Sequence, residues 1–229
     1  MSSFSKIYAI CQHFVVKNIY GDHNKSAKVK AAILKLIGYM PNDFKGLNIG
    51  AGQTRVHKNI KNLELEPGLN IDYVGSVLAI PCNDNQFDVV LAQEVLEHVE
   101  APSIAVEEIH RVLKVGGYFY LQLPFIIGYH PCPNDYWRFT HQGIRELLTE
   151  DKFELIDLDI SVGPAVGFYR ILIEFLAICF SLGISSLYKP AKLIFAVLFF
   201  PIKLLDPLLM KSKEVNRIAG GYYVIGRKI

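Results

Sequence analysis

The side chains best suited to proton transfer or anion binding are concentrated in residues 130–139, which read HPCPNDYWRF. His130 is the candidate base, since an imidazole titrates near neutral pH and can remove a proton from a hydroxyl. Arg138 could hold a carboxylate or a phosphate through two parallel hydrogen bonds, and Asp135 is the third candidate catalytic residue. The structural alternative is a loop in which Asp135 and Arg138 form an internal ion pair while Trp137 packs on the core. The residue types therefore predict either a substrate-binding loop or a self-paired one.

A second group of residues could bind a nucleotide. Gly50 and Gly52 follow a short apolar stretch, and glycine lets the backbone turn sharply and approach a ligand. Glu64 and Glu66 end the next apolar stretch, where a carboxylate can accept hydrogen bonds from both hydroxyls of a ribose. We favour Glu64 because it ends the apolar part of that stretch. The sequence continues without the third glycine of the GxGxxG fingerprint, which makes NAD the weaker candidate.

Alternating apolar and amphipathic stretches predict the elements that must position these residues. Strands are predicted at residues 45–49, 62–66, 71–74, 87–92, 118–123, 153–160 and 221–226, and helices at 26–40, 102–113 and 142–148. The helix that starts at Pro102 is expected to stop at Gly116-Gly117. This order predicts an α/β fold with a Rossmann-like, doubly wound, mostly parallel seven-stranded sheet. Ligands of such sheets bind at the carboxyl ends of the strands, which brings both groups of residues to one edge.

Three segments together carry a family resemblance: NIGAG (48–52), FDVVLAQEVLEHV (87–99) and EIHRVLKVGGYFYLQLP (108–124). They resemble the class I S-adenosylmethionine-dependent methyltransferases, and more narrowly the methyltransferase type 11-like subgroup that carries a DYWRF loop. The resemblance implies S-adenosyl-L-methionine as cofactor. The cofactor-binding residues predicted on this basis are Asn48, Gly50, Ala51, Gly52, Glu64, Gln93 and Glu94.

The resemblance also implies individual roles. The Gly50–Gly52 turn would line the methionine part of the cofactor, Glu64 would hold the ribose, and Gln93 and Glu94 would close over the amino acid moiety. Leu96-Glu97-His98 matches the LEH signature of the family, and we interpret it mainly as a structural motif that starts a helix.

One position departs from the family pattern. Ser76 stands where the family often has Asp, so an acidic partner for the adenine amine is missing there. Asn83 and Asp84 are the candidate replacements.

A hydrophobic insert is predicted before the last strand. Residues 171–187 contain one charge, Glu174, and residues 191–210 are apolar apart from Lys192, Pro201, Lys203 and Asp206. Each stretch is near the lower limit of about 20 residues for a membrane span, and the internal charges argue against clean spans. Lysines at the border suit anionic lipid. We expect a hairpin or a pair of interfacial helices, with a helical lid or a dimerisation surface as the alternative.

Composition limits the partners. The net charge of +2 is too small to indicate a nucleic-acid binder, and the oligomeric state is left open. The four cysteines form no CxxC pair, so neither a zinc site nor a disulfide framework is predicted, no metal is expected, and a reducing compartment is favoured. Residues 1–20 show no signal-peptide pattern.

The predicted organisation has three parts: an N-terminal helical segment (1–40), a methyltransferase domain (41–163 and 217–229) and the insert (164–216). We therefore expect a methyltransferase acting on a small or lipid-linked acceptor at the cytoplasmic membrane face. The first alternative is a non-catalytic protein of the same fold that serves as a membrane-associated interaction subunit. An NAD-dependent oxidoreductase is the second.

Overall fold

The computed structural model describes residues 26–229, which form one seven-stranded sheet with helices in its connections. The strands are β1 (Gly46–Ile49), β2 (Ile60–Glu64), β3 (Tyr73–Val74), β4 (Phe87–Gln93), β5 (Leu113–Pro124), β6 (Phe153–Val162) and β7 (Gly221–Lys228). Their order across the sheet is β3-β2-β1-β4-β5-β7-β6. Strands β1 to β5 pair in parallel, and β7 runs antiparallel to β5. The prediction of a mostly parallel, Rossmann-like sheet is confirmed.

The helices follow the predicted order along the chain. They are α1 (Ala27–Gly38), α2 (Pro102–Val112), α3 (His141–Leu147), α4 (Pro164–Ser181), α5 (Ser185–Leu198) and α6 (Asp206–Leu209). Helix α1 buries one face, and the buried side chains recur at helical spacing: Val29, Ala32, Ile33 and Leu36. They pack into a cluster with Ile60, Val89 and Tyr120 of the sheet. The part of the predicted N-terminal segment before residue 26 lies outside the described residues.

The predicted bounds of the second helix agree with the structure within one residue, but the role predicted for Gly116-Gly117 is wrong. Helix α2 ends at Val112, and Gly116-Gly117 lie inside β5. Gly116 has a φ of +76°, and the pairing of β5 with β4 shifts register between Phe87 and Val89. A Cβ on Gly117 would lie 2.8 Å from the carbonyl oxygen of Lys114. The glycine pair therefore forms a strand irregularity with close backbone contact rather than a helix cap.

The chain divides into two compact units. The sheet unit comprises Lys28–Phe125, Tyr129–Ser161 and Gly221–Ile229, and the helical unit contains Ile126–Gly128 and Val162–Gly220. The predicted cofactor-binding residues and the predicted catalytic residues all belong to the sheet unit.

The helical unit is built around a hairpin of α4 and α5. The Tyr169 hydroxyl donates a hydrogen bond to the carbonyl oxygen of Ala196 at 2.8 Å. The Glu174 carboxylate accepts a hydrogen bond from the Tyr188 hydroxyl and pairs with Lys192, so these two charges, one from each predicted apolar stretch, neutralise each other. Helix α4 is long and apolar enough to cross a membrane by length and composition alone.

Candidate active site

A cleft of about 220 Å³ lies at the carboxyl ends of β1, β2 and β4 in the sheet unit. Three of the predicted cofactor-binding residues line it, namely Gly50, Glu64 and Glu94. The other four predicted residues, Asn48, Ala51, Gly52 and Gln93, are their neighbours in sequence but do not line the cleft. The strand-end rule therefore places the cleft where the sequence predicts it.

The glycine turn after β1 depends on a left-handed backbone. Gly50 has a φ of +61° and Gly52 a φ of +55°. A Cβ on Gly50 would lie 2.4 Å from Cγ2 of Val95, so that position excludes a side chain on two grounds. At Gly52 an added Cβ would meet open space. The turn lets the backbone come close to whatever fills the cleft.

Glu64 ends β2 beside that turn. Its carboxylate accepts a hydrogen bond from the Gly52 N–H, and its carbonyl oxygen accepts one from the Gly75 N–H at 2.8 Å. These bonds tie the carboxylate to the glycine turn at the wall of the cleft. Glu66, which the sequence left as the alternative, is exposed and does not line the cleft.

Glu94 reaches the cleft through a backbone reversal after β4. It has a φ of +56°, which is uncommon for a residue with a side chain. Its N–H donates to the carbonyl oxygen of Gln122 at 2.9 Å, and the buried Gln122 amide lies 3.4 Å from the Glu94 carboxylate. Gln122 thus fixes a conformation that Glu94 would otherwise seldom adopt.

The predicted replacements for the missing acidic residue do not line the cleft. Asp84 forms an ion pair with Arg111 at 2.7 Å, and the backbone N–H of Asn83 donates to the Gln86 side chain. Ser76 itself lines the cleft, and its hydroxyl accepts a hydrogen bond from the Leu78 N–H at 3.1 Å. Of these three residues, therefore, only Ser76 lines the cleft.

The loop of residues 130–139 is organised by an ion pair. Both oxygens of Asp135 accept from the Arg138 guanidinium at 2.6 Å, and Oδ2 also accepts from the His130 N–H at 2.8 Å. The guanidinium beside it lowers the pKa of Asp135 to about 2. The internal pair that the sequence offered as the structural alternative is thus formed. Because Asp135 occupies the guanidinium fork, Arg138 is a positioning residue here rather than an anion receptor.

The aromatic residues of the loop dock it on the segment after β4. The N–H groups of Tyr136 and Trp137 donate to the carbonyl oxygen of Glu97 at 2.7 and 3.3 Å. The Trp137 indole N–H donates to the carbonyl oxygen of Val99 at 3.0 Å, while 43% of the residue is exposed. Trp137 therefore docks at the surface and does not pack on the core.

This docking assembles a cluster that the sequence analysis missed: Glu97, His98 and His130. Glu97 Oε1 lies 3.6 Å from His98 Nε2 and 3.7 Å from His130 Nε2, and the imidazole centroids are 5.3 Å apart. Burial raises the pKa of the Glu97 carboxyl group. His98 also lines the cleft. The signal in the sequence was an adjacent Glu-His pair at one strand end and a histidine after another.

Comparisons with known proteins agree with this geometry. The chain matches the family model of a methyltransferase domain over residues 31–121. An uncharacterized methyltransferase of Schizosaccharomyces pombe is 44% identical over 45 residues, which are 20% of this chain and 16% of that relative. The match thus spans a small part of the relative.

Two solved structures have a similar fold. A protein assigned as a sarcosine dimethylglycine methyltransferase from Galdieria sulphuraria has a TM-score of 0.54 at 19% identity, over 87% of this chain and 83% of its own. Phosphoethanolamine N-methyltransferase 2 of Haemonchus contortus, in complex with S-adenosyl-L-methionine, has a TM-score of 0.53 at 16% identity, over 95% of this chain and 59% of its own. At these identities the likeness concerns the fold.

Proposed function

We propose that this chain, which matches a methyltransferase-domain model over residues 31–121, is an S-adenosylmethionine-dependent methyltransferase of class I that methylates a small or lipid-linked acceptor at the cytoplasmic face of a membrane. The observation that carries the proposal is the meeting of the Gly50 turn, Glu64 and Glu94 at one cleft. Each lies at the end of a different parallel strand, where ligands of this sheet type bind.

The cleft suits the methyl donor better than a dinucleotide. Two carboxylates, Glu64 and Glu94, line it, and no Lys or Arg of the described chain does. Negative charge at the wall favours a ligand with a positive centre and disfavours a pyrophosphate. A Cβ on Gly50 would collide with Val95, so glycine at this position leaves that space to Val95. S-adenosyl-L-methionine supplies an electrophilic methyl group on a positively charged sulfur.

The residues of the chain then have three tasks. Glu64 accepts hydrogen bonds from the ribose hydroxyls, and Glu94 holds the amino acid end of the cofactor. An imidazole of the His98–His130 pair removes the proton of an acceptor hydroxyl, and the Asp135–Arg138 pair keeps His130 in place. Because methyl transfer is an in-line displacement, this positioning contributes much of the rate enhancement.

Support for a membrane acceptor comes from the surface of the helical unit. Large apolar side chains are more than half exposed there, namely Phe168, Phe175, Ile178, Phe180, Leu182, Ile184, Ile194, Val197, Leu198, Leu204, Leu208 and Ile218. Such a density of exposed apolar groups is unusual for a protein surface in water. Exposed basic residues, Lys189, Lys211, Lys213 and Arg217, accompany them and suit anionic headgroups.

A transfer assay tests the proposal. The full chain is incubated with S-adenosylmethionine labelled on the methyl group, once with vesicles of total membrane lipid and once with the water-soluble extract of the same cells. We expect label in the lipid fraction, and we expect Glu64→Gln to reduce it on the order of tenfold or more, since a charged hydrogen-bond partner is lost. Label confined to the soluble extract would contradict the lipid-linked acceptor.

A surface variant tests the membrane contact separately. Leu204→Glu with Leu208→Glu places two charges on the exposed apolar surface, and Leu34→Glu places one on the exposed face of α1 as a matched control. We expect the double variant alone to lose co-sedimentation with anionic vesicles. Equal sedimentation of both variants and the wild type would contradict a role of that surface.

A further inference from the structure

Glu97 is a buried acidic side chain whose surroundings are not explained by the fold. It has 0% exposure, and neither carboxylate oxygen lies within hydrogen-bond distance of a partner. Burying a carboxylate in this way is costly unless something neutralises or coordinates it. The carboxylate therefore points to a ligand.

The neighbours of Glu97 have the spacing of a coordination shell. Its Oε1 faces His98 Nε2 at 3.6 Å and His130 Nε2 at 3.7 Å, and the ligand atoms of the three residues lie within 4.8 Å of one another. These distances exceed those of hydrogen bonds. Nitrogen and oxygen atoms that share a metal ion at ~2.1 Å are separated by roughly 3.0–3.5 Å. Coordination therefore shortens the two Glu97–histidine contacts slightly, and it closes the widest pair of ligand atoms by at most ~1–2 Å.

The outer contacts of the two imidazoles differ. His98 Nδ1 lies 2.6 Å from the carbonyl oxygen of Asn134, so that nitrogen carries the proton and Nε2 presents its lone pair to the cluster. On the other ring, His130 Nδ1 lies 3.3 Å from Arg138 Nη2, which can only donate, and 3.6 Å from Asp135 Oδ2. Binding of an ion at Nε2 therefore moves the ring proton to Nδ1, where Asp135 Oδ2 can accept it. A carbonyl or a carboxylate behind each histidine is the usual second layer of a metal site.

We propose that Glu97, His98 and His130 bind a divalent first-row transition-metal ion beside the cofactor cleft. Two imidazoles and one carboxylate favour Mn²⁺, Fe²⁺, Co²⁺ or Zn²⁺ over Mg²⁺ and Ca²⁺, and they leave coordination positions open. The cysteine spacing that predicted no metal does not bear on this site, which uses no cysteine.

The role of the ion, unlike its binding, rests on the proposed function. His98 lines the cleft, so an acceptor hydroxyl in the cleft can reach an open position of the ion. With both imidazoles bound to the ion, neither acts as the base; coordination instead makes the hydroxyl more acidic, and its proton leaves to solvent. The oxygen then bonds to the methyl carbon as the carbon–sulfur bond breaks, with the electron pair remaining on sulfur. The products are the methyl ether and S-adenosylhomocysteine.

Metal titration of the full chain tests the site without any turnover. The protein is freed of metal with a chelator, and MnCl₂ is titrated by calorimetry while CoCl₂ is followed by its visible absorption. We expect one ion per chain, and a loss of affinity on the order of 100-fold or more in Glu97→Gln, which keeps the side-chain shape. His141→Asn, a histidine outside the cluster, is the matched control and retains binding.

Two further variants keep the test decisive if Glu97→Gln fails to fold. His98→Asn and His130→Asn each remove one nitrogen ligand from partly exposed positions, and each is expected to weaken binding and change the cobalt spectrum. Absence of Mn²⁺ and Co²⁺ binding in the wild type, or binding that survives all three cluster variants, would overturn the proposal.

The same samples are titrated with S-adenosylhomocysteine. Metal binding without adenosyl binding would sustain the site and contradict the proposed function. Binding of S-adenosylhomocysteine without metal binding would support the proposed function and contradict the metal site.

Discussion

At the scale of single residues, Asp135 determines the shape of the loop beside the cleft. Its side chain is 1% exposed and accepts three hydrogen bonds, two from Arg138 and one from the His130 N–H. Without those donors a buried carboxylate would destabilise the loop. With them, His130 is held next to Glu97, and the loop can contribute an imidazole to the site.

The low pKa of Asp135 makes this contribution depend on pH. The folded-state pKa is about 2, mainly because of Arg138, against an ordinary value of 3.8. A carboxyl group whose pKa is lower in the folded protein than in the unfolded chain stabilises the fold at any pH above its unfolded-state pKa. This stabilisation is lost as the pH falls through the folded-state pKa. We expect Asp135→Asn to lower the free energy of unfolding by about 2 kcal/mol at pH 7.

Urea unfolding from pH 7 down to pH 3 measures this difference. It should begin to shrink below about pH 4, while the exposed Asp43→Asn should change little at any pH. A difference that stays constant down to pH 3 would show that the ion pair is not its source.

At the scale of elements, the ends of the strands carry the site. Gly50 and Gly52 follow β1 and Glu94 follows β4, and all three have positive φ values. The reversals at Gly50 and Glu94 place both residues at the wall of one cleft. Gly50 and Glu64 could be predicted because strand ends, glycines and carboxylates are local signals, whereas Glu94 was implied by the family resemblance.

The two glycines make a matched pair for mutation. Alanine at either position must adopt a left-handed backbone, which costs about 1–2 kcal/mol. At Gly50 the new Cβ also meets Val95 at 2.4 Å, whereas at Gly52 it meets nothing. We expect Gly50→Ala to lower the free energy of unfolding by about 1–3 kcal/mol more than Gly52→Ala.

Chemical unfolding of both variants measures the difference, and Val95→Ala in the Gly50→Ala background should recover part of it. An equal or larger loss in Gly52→Ala would contradict the close contact with Val95.

Two other features could not be predicted from local sequence signals. Gly116-Gly117 fits a helix end as well as a strand irregularity, and only contacts with the Lys114 and Asp88 carbonyl oxygens decide between them. The cluster of Glu97 and His130 forms because the loop docks through backbone hydrogen bonds to Glu97. Contacts between residues this far apart in sequence leave no periodic pattern, so residues 96–98 were interpreted as structural.

At the scale of the whole molecule, two compact units carry two different properties. The sheet unit contains the anionic cleft and the histidine cluster, and the helical unit carries the exposed apolar surface. The same sheet architecture supports many reactions, so its chemistry has to be argued from the cleft. The central claim is therefore that the cleft binds S-adenosylmethionine through Glu64.

Calorimetric titration of the full chain with S-adenosylhomocysteine tests that claim most directly, with NAD as the competing ligand. We predict one site per chain, weakened on the order of tenfold to a hundredfold by Glu64→Gln, unchanged by Glu66→Gln, and no binding of NAD. Absence of S-adenosylhomocysteine binding, or equal binding by the Glu64 variant and the wild type, would contradict the account.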